Sequence, residues 1–360
     1  MVLTDEDSLR LNVLLANRPL AIRIDEARAV VHALTERGEA RVELHPRGRP
    51  ETYLRAVREL LSGQVLGSPG GYPVYLRRWT RMGQMRDDSL AQLLLLGEPE
   101  AVVAAAGAPG LTEDLARRAW WALEDAANAR RMLQNPRIAA SSLAPTLARY
   151  LLDYLPFETD SLAVRDTVRL VLQPGLIDAA RRTELWRQSA RRPARTLGFL
   201  AALPDDLPEP LPARADAAAL ATALEHAADH PGVQQLRRCV GAAGQTFLHA
   251  LDGVLARVPD QDLVVAAFDV VRAYFASLRP GGDPDLALAA LQAEAAEFVA
   301  QPPAPFAACL RQCPALASDF QAMRLLSGVG YGLMRPLLPD PTTAGTLMRR
   351  KLAPVLDALR

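Results

Sequence analysis

Apolar and polar residues alternate in three short runs near the start of the chain. Leu20, Ile22 and Ile24 stand on one side with Arg23 and Asp25 on the other; Val30 to Leu34 follows; Ala40, Val42 and Leu44 are then set against Arg41, Glu43 and His45. A period of two puts successive side chains on opposite faces of a strand, so the runs predict an antiparallel meander buried on one face, with Gly38 in a connection. Thr4 is placed to cap a helix before it, with Asp5, Glu6 and Asp7 in the first turn. Pro50 opens a helix after it, where Tyr53, Val57, Leu60 and Leu61 form one stripe and Gly63 is placed as the stop. Residues 1–65 therefore read as a small αβββα head.

Beyond Asp88 the period changes to three and four. Helices are predicted at 89–96, 99–106, 112–123, 125–134, 143–154, 160–172 and 176–189, with Thr112 and Asp160 as caps. Short helices joined by tight turns make residues 89–203 a helical-hairpin body, either a HEAT-like array or a bundle. Residues 204–214, PDDLPEPLPAR, hold prolines that block helix and central strand, so they read as an acidic linker with a domain boundary near 207. Longer apolar stripes follow. One at 232–257 predicts a helix of roughly 40 Å, and another behind the cap Asp260 runs through Val264, Phe268, Val271, Phe275 and Leu278. With helices at 284–300, 314–328 and 343–359, residues 215–360 read as a C-terminal bundle. The expected fold class is mainly α, with the α+β head at its start.

Charge narrows the picture slightly. Basic and acidic residues number 41 each, which argues against a protein that coats nucleic acid or membrane. Lys351 is the single lysine, and with the abundance of Ala, Leu and Pro this reads as codon choice in a GC-rich genome. Arginine is therefore weak evidence of phosphate recognition. The acidic MVLTDEDSL start does not read as a signal peptide, and no apolar run reaches the ~18–20 residues needed to span a bilayer. Cys239, Cys309 and Cys313 make no disulfide framework. A cytoplasmic protein is expected, with no membrane partner.

The densest run of unusual residues is 62–88, within which 66–88 form a Gly/Pro/Arg/aromatic connector. Its loop GSPGG lacks the lysine and spacing of a phosphate loop and reads as a turn. Tyr72, Tyr75, Arg77, Arg78, Trp79 and Arg81 follow as the candidate partner-binding residues. Arginines among aromatics can dock a protein or stack on a single strand of RNA, and equally can be a surface segment packed on itself. Cys309 and Cys313 read as small apolar residues, since no histidine accompanies them as zinc sites require. His32 and His45, with Asp25 near, form a conceivable acid–base pair without a nucleophile. His230 reads as a helix-end residue complementing the dipole rather than a metal ligand with His226. The basic run Arg181, Arg182, Arg187, Arg191, Arg192 and Arg195 reads as a solvated face. Adjacent Trp120 and Trp121 cannot share a helical face, so one belongs in the core and the other is left for a partner. No catalytic residue, metal site or cofactor is expected.

Several strings resemble a known family. LRLNVLLAN at 9–17, AIRIDE at 21–26, RELLSG at 58–63, LGSPGGYPVYLRRWTRMGQ at 66–84, LLLLGEPEAVV at 93–103, LARRAWWAL at 115–123 and VRLVLQPGLI at 168–177 are similar to the DsrS family. Its members are encoded with the reverse dissimilatory sulfite reductase genes of sulfur-oxidising bacteria. The likeness covers about the first 205 residues. It implies a cytoplasmic accessory protein of sulfur oxidation, with a protein partner in that machinery, and it carries over no site residues. The functional expectation is a non-enzymatic accessory or regulatory protein working through protein–protein contacts. The rivals are an RNA-binding post-transcriptional regulator of dsr expression and an enzyme whose site has no recognised signature.

Overall fold

The computed structural model describes residues 3–67, 87–279, 283, 285–335 and 350. Helix α1 (Asp5–Ala16) is capped as its sequence dictates: the Thr4 hydroxyl accepts from the Asp7 N–H at 3.1 Å. Strands β1 (Ala21–Asp25), β2 (Val30–Thr35) and β3 (Gly38–Glu43) pair antiparallel in the order β1-β2-β3, with Ile22 opposite Ala33 and His32 opposite Arg41. Helix α2 (Pro50–Leu66) has Pro50 in its first turn and lays Tyr53, Val57 and Leu61 onto the same core as Leu11, Leu14, Ile22, Val31 and Ala33. It runs through Gly63, the expected stop, and ends at Gly67 with φ 62°. Glycine only weakens a helix interior; a stop needs the left-handed conformation that Gly67 adopts.

The rest of the described chain is helical, and the whole falls into two compact units, Met1–Pro156 and Phe157–Arg360. The first contains α3 (Asp87–Leu93), α4 (Pro99–Ala106), α5 (Glu113–Ala122), α6 (Ala126–Gln134), α7 (Pro136–Ala139) and α8 (Ala144–Tyr154). The αβββα segment is continuous with them. The Ile22 N–H donates to the Leu94 carbonyl at 2.8 Å, so β1 has a backbone partner on the side away from β2. Gly97, at φ 65°, lies so near Ile24 that an added Cβ would stand 2.9 Å from its side chain. The Arg23 guanidinium lies 4.7 Å from the centre of the Trp121 ring and donates to the Trp121 carbonyl at 3.4 Å.

The second unit contains α9 (Ser161–Val171), α10 (Ala179–Ser189), α11 (Pro193–Ala202), α12 (Ala217–Ala223), α13 (Pro231–Val240), α14 (Ala242–Leu255), α15 (Gln261–Tyr274), α16 (Leu288–Ala300), α17 (Ala304–Gln312), α18 (Leu316–Leu326) and α19 (Tyr331–Met334). Helix α11, which the sequence reading lacks, packs on α9, α14 and α15, so helices before and after residue 207 share one core. The helix expected over 232–257 is two helices. Gly241 is extended (φ −70°, ψ 166°) and separates α13 from α14, while the Gln245 side chain donates to the Cys239 carbonyl at 2.8 Å and satisfies the end of α13. The helix expected at 343–359 lies, Arg350 apart, outside the described residues.

The proline-rich segment 204–214 is a strap across the second unit rather than a linker between bodies. Leu207 and Pro208 are buried, the Leu211 N–H donates to the Thr246 hydroxyl at 2.8 Å, and the Arg214 N–H donates to the Val240 carbonyl at 2.8 Å. Its acids pair with surrounding arginines. Asp205 meets Arg238 through two bonds of 2.6 and 2.7 Å, Asp206 meets Arg182 at 2.6 Å, and Glu209 meets Arg187 at 2.9 Å. Proline supplies stiffness and acids supply attachment. Since these pairs are partly exposed, Arg182→Ala combined with Arg187→Ala is expected to lower stability in urea unfolding by only about 0.5–1.5 kcal/mol. The difference from the parent should disappear in molar salt; a loss that persists there would show that the strap is held otherwise.

Candidate functional site

The stripes legible in α13 and α15 meet in the second unit but do not close on each other. Leu236, Cys239 and Val240 of α13, Leu248, Leu251 and Leu255 of α14, Phe268 and Val271 of α15, and Met323 and Leu326 of α18 border an open cleft of about 590 Å³. Its floor is apolar and buried, while Arg214, Gln245, Asp252 and Asp319 supply the polar lining. Arg214 comes from the strap and is held in place from two sides. Its guanidinium donates twice to Asp319, at 2.9 Å each, and to Asp216 at 2.7 and 3.0 Å. Those bonds hold its pKa above the ordinary arginine value and leave its charge already answered.

Cys239 supplies the one thiol among the described residues of the lining. Burial, the largest effect, pushes its thiol up to about 11, against the hydrogen bond it accepts from Gln235 at 3.5 Å. At neutral pH only roughly one molecule in ten thousand then carries the reactive thiolate. Behind it Tyr274 stacks on Phe247 at 3.9 Å between ring centres and receives the Arg238 guanidinium on its ring at 3.8 Å. The cleft can hold apolar matter.

In the first unit the structure assembles a polar cluster different from the expected one. Asp7, fully buried, accepts from the Tyr53 hydroxyl, from the His45 N–H at 2.8 Å and from the His45 ring at 3.1 Å; Thr4 Oγ1 lies 3.3 Å from the Tyr53 hydroxyl. The two histidines do not pair with Asp25, which instead accepts from the Arg28 N–H at 3.0 Å, while His32 bonds Glu39 at 2.7 Å. Asp7 therefore ties α1, the exit from β3 and α2 together, a structural role.

The remaining candidates separate similarly. Tyr72, Tyr75, Arg77, Arg78, Trp79 and Arg81 lie outside the described residues. Trp120 is buried edge-on against Tyr150 at 4.9 Å, and Trp121 is half-buried under Arg23 rather than left bare. Cys309 is buried, whereas Cys313 is half-buried at the end of α17. His230 caps the N-terminus of α13, its Nδ1 accepting from the Gly232 N–H at 3.2 Å. That corrects the dipole expectation: a proton acceptor, not a cation, suits that end, and burial lowers the His230 pKa accordingly. Among the described residues no group of three or more His, Cys, Asp or Glu is placed to hold a metal, and no helix is long and apolar enough to cross a membrane. Comparison with family models, with curated proteins and with solved structures finds no match to this chain.

Proposed function

We propose that the protein is a non-enzymatic accessory or regulatory protein of dissimilatory sulfur oxidation, of the DsrS kind, acting through protein–protein contacts. The observation that carries the contact reading is the open cleft of about 590 Å³ in the second unit, apolar at its floor, with a protonated thiol and a neutralised arginine among its polar groups. A partner helix with apolar anchors three and four residues apart fits such a cleft. The sulfur context comes from the resemblance over the first 205 residues and is supported by nothing in the cleft.

Pull-down from a native lysate of a sulfur oxidiser tests both parts. The full chain is expected to recover a protein of the sulfur-oxidation machinery. Leu248→Arg with Leu326→Arg, two half-buried positions in the cleft lining, should lose it while the unfolding temperature holds. Arg78→Ala with Trp79→Ala examines the second candidate surface in the same experiment. Undiminished recovery by both variants would end the reading.

A further inference from the structure

The start of α11 gathers cations that no carboxylate among the described residues answers. Arg191 and Arg192 close the connection from α10, Arg195 stands in the first turn of α11, and Arg257 follows α14. Neighbouring Arg182 and Arg187 are paired with Asp206 and Glu209, yet among the described residues Arg191, Arg192, Arg195 and Arg257 form no ion pair. Arg191, Arg192 and Arg257 line a groove of about 270 Å³ together with Arg187, Trp186 and His249, and among the described residues Glu209 is its one acid. Four arginines against one glutamate stand out in a chain whose formal net charge is zero.

Codon preference explains arginine on a solvated face. It does not explain Arg195, which is only 7% exposed and lies beside a like charge. Burial first, and Arg192 second, push the Arg195 pKa below its ordinary value, so the protonated form is held at a cost. An anion at the groove would relieve that cost. The positive end of α11 adds to the same field. Trp186 adds an aromatic ring to the lining and is held by edge-on contact with Phe199 at 5.1 Å.

We propose that this groove binds a small organic phosphate, with Arg191, Arg192 and Arg257 on the phosphate and Trp186 against a flat ring. Arg195, outside the lining but close enough to Arg192 to feel its charge, adds to the positive field. At about 270 Å³ the groove falls just under the usual range of small-molecule pockets, which suits a small ligand held in part rather than a folded partner.

Calorimetric titration of the full chain at low salt with inorganic pyrophosphate, ADP and adenosine tests this. Pyrophosphate and ADP are expected to bind and adenosine to fail. Arg192→Gln with Arg257→Gln, both exposed positions, should weaken both phosphates by about tenfold or more. Trp186→Leu should weaken ADP alone. Arg195→Met supplies a readout independent of affinity: the ligand-free protein should unfold at a higher temperature, and pyrophosphate should raise that temperature less than in the parent. Absence of heat from both phosphates at millimolar concentration overturns the proposal. So does equal binding by the double variant, or binding of a single-stranded oligonucleotide without binding of ADP.

Discussion

Gly244→Ala is expected to destabilise the second unit by about 3 kcal/mol or more, an unusually large effect for one methyl group. The reason is where the methyl would go. A Cβ at Gly244 would press on the Arg238 carbonyl oxygen and stand 2.6 Å from the Cys239 Cα, both backbone atoms at the end of α13. A crowded side chain can rotate away, whereas these atoms belong to a helix end already bonded to Gly241 and Gln245. Relief would require α14 to move off α13 and would reshape the cleft between them. The same helix provides the control. A Cβ at Gly253 meets nothing within 4 Å, so Gly253→Ala should be neutral or stabilise by up to about 1 kcal/mol through helix propensity. Urea unfolding of the two variants makes the comparison. Equal midpoints would show that the junction is slack.

Asp7→Ala is expected to cost about 2–4 kcal/mol, because it strands the buried Tyr53 hydroxyl and the part-buried His45 N–H rather than merely removing an acceptor. The Tyr53 hydroxyl and the His45 N–H both point at the carboxylate, and Tyr53 is 1% exposed. The pH dependence follows from the same contacts. Burial alone would raise the Asp7 pKa, but the hydrogen bonds from Tyr53, the His45 backbone and the His45 ring outweigh it and hold it below the ordinary carboxylate range. In the unfolded chain the group titrates near ~3.9. Its contribution is therefore complete above about pH 4 and is lost as the pH falls through the lower folded value. Asp7→Asn keeps the shape without the titration, so its stability should fall less than the parent's over that acid range. Parallel acid unfolding curves for the two proteins would remove Asp7 as the source.

What the sequence made legible was whatever one segment decides for itself. Thr4, Thr112, Asp160 and Asp260 all cap as expected, accepting from Asp7, Leu115, Ala163 and Leu263 at 3.1, 3.3, 2.6 and 2.8 Å. The period-two runs became β1, β2 and β3 because alternation fixes which face is buried. Features settled by distant partners were not legible. Asp7 and His45 are 38 residues apart, and nothing local to either announces the other. The apolar stripe through 232–257 continues in phase across Gly241, so its period could not reveal that the chain turns there. Proline read correctly as a helix breaker in 204–214, but a broken helix can be a linker or a strap. Only the arginines opposite Asp205, Asp206 and Glu209 decide between them. The cleft was half visible: α13 and α15 displayed their stripes, while Arg214 and Asp319, 105 residues apart, gave no sign of meeting.

The bond from Ile22 to Leu94 bears on how this chain can be dissected. A fragment ending near residue 66 would keep every described strand yet lose the backbone partner of β1, together with the Trp121 ring under Arg23. On the opposite border β3 carries exposed Glu39, Arg41 and Glu43, charges that discourage stray pairing, whereas β1 has Ala21 and Ile22 buried beside the missing segment. Excision would thus bare a sticky apolar rim. The smallest piece that keeps the β1 rim covered runs on through α5.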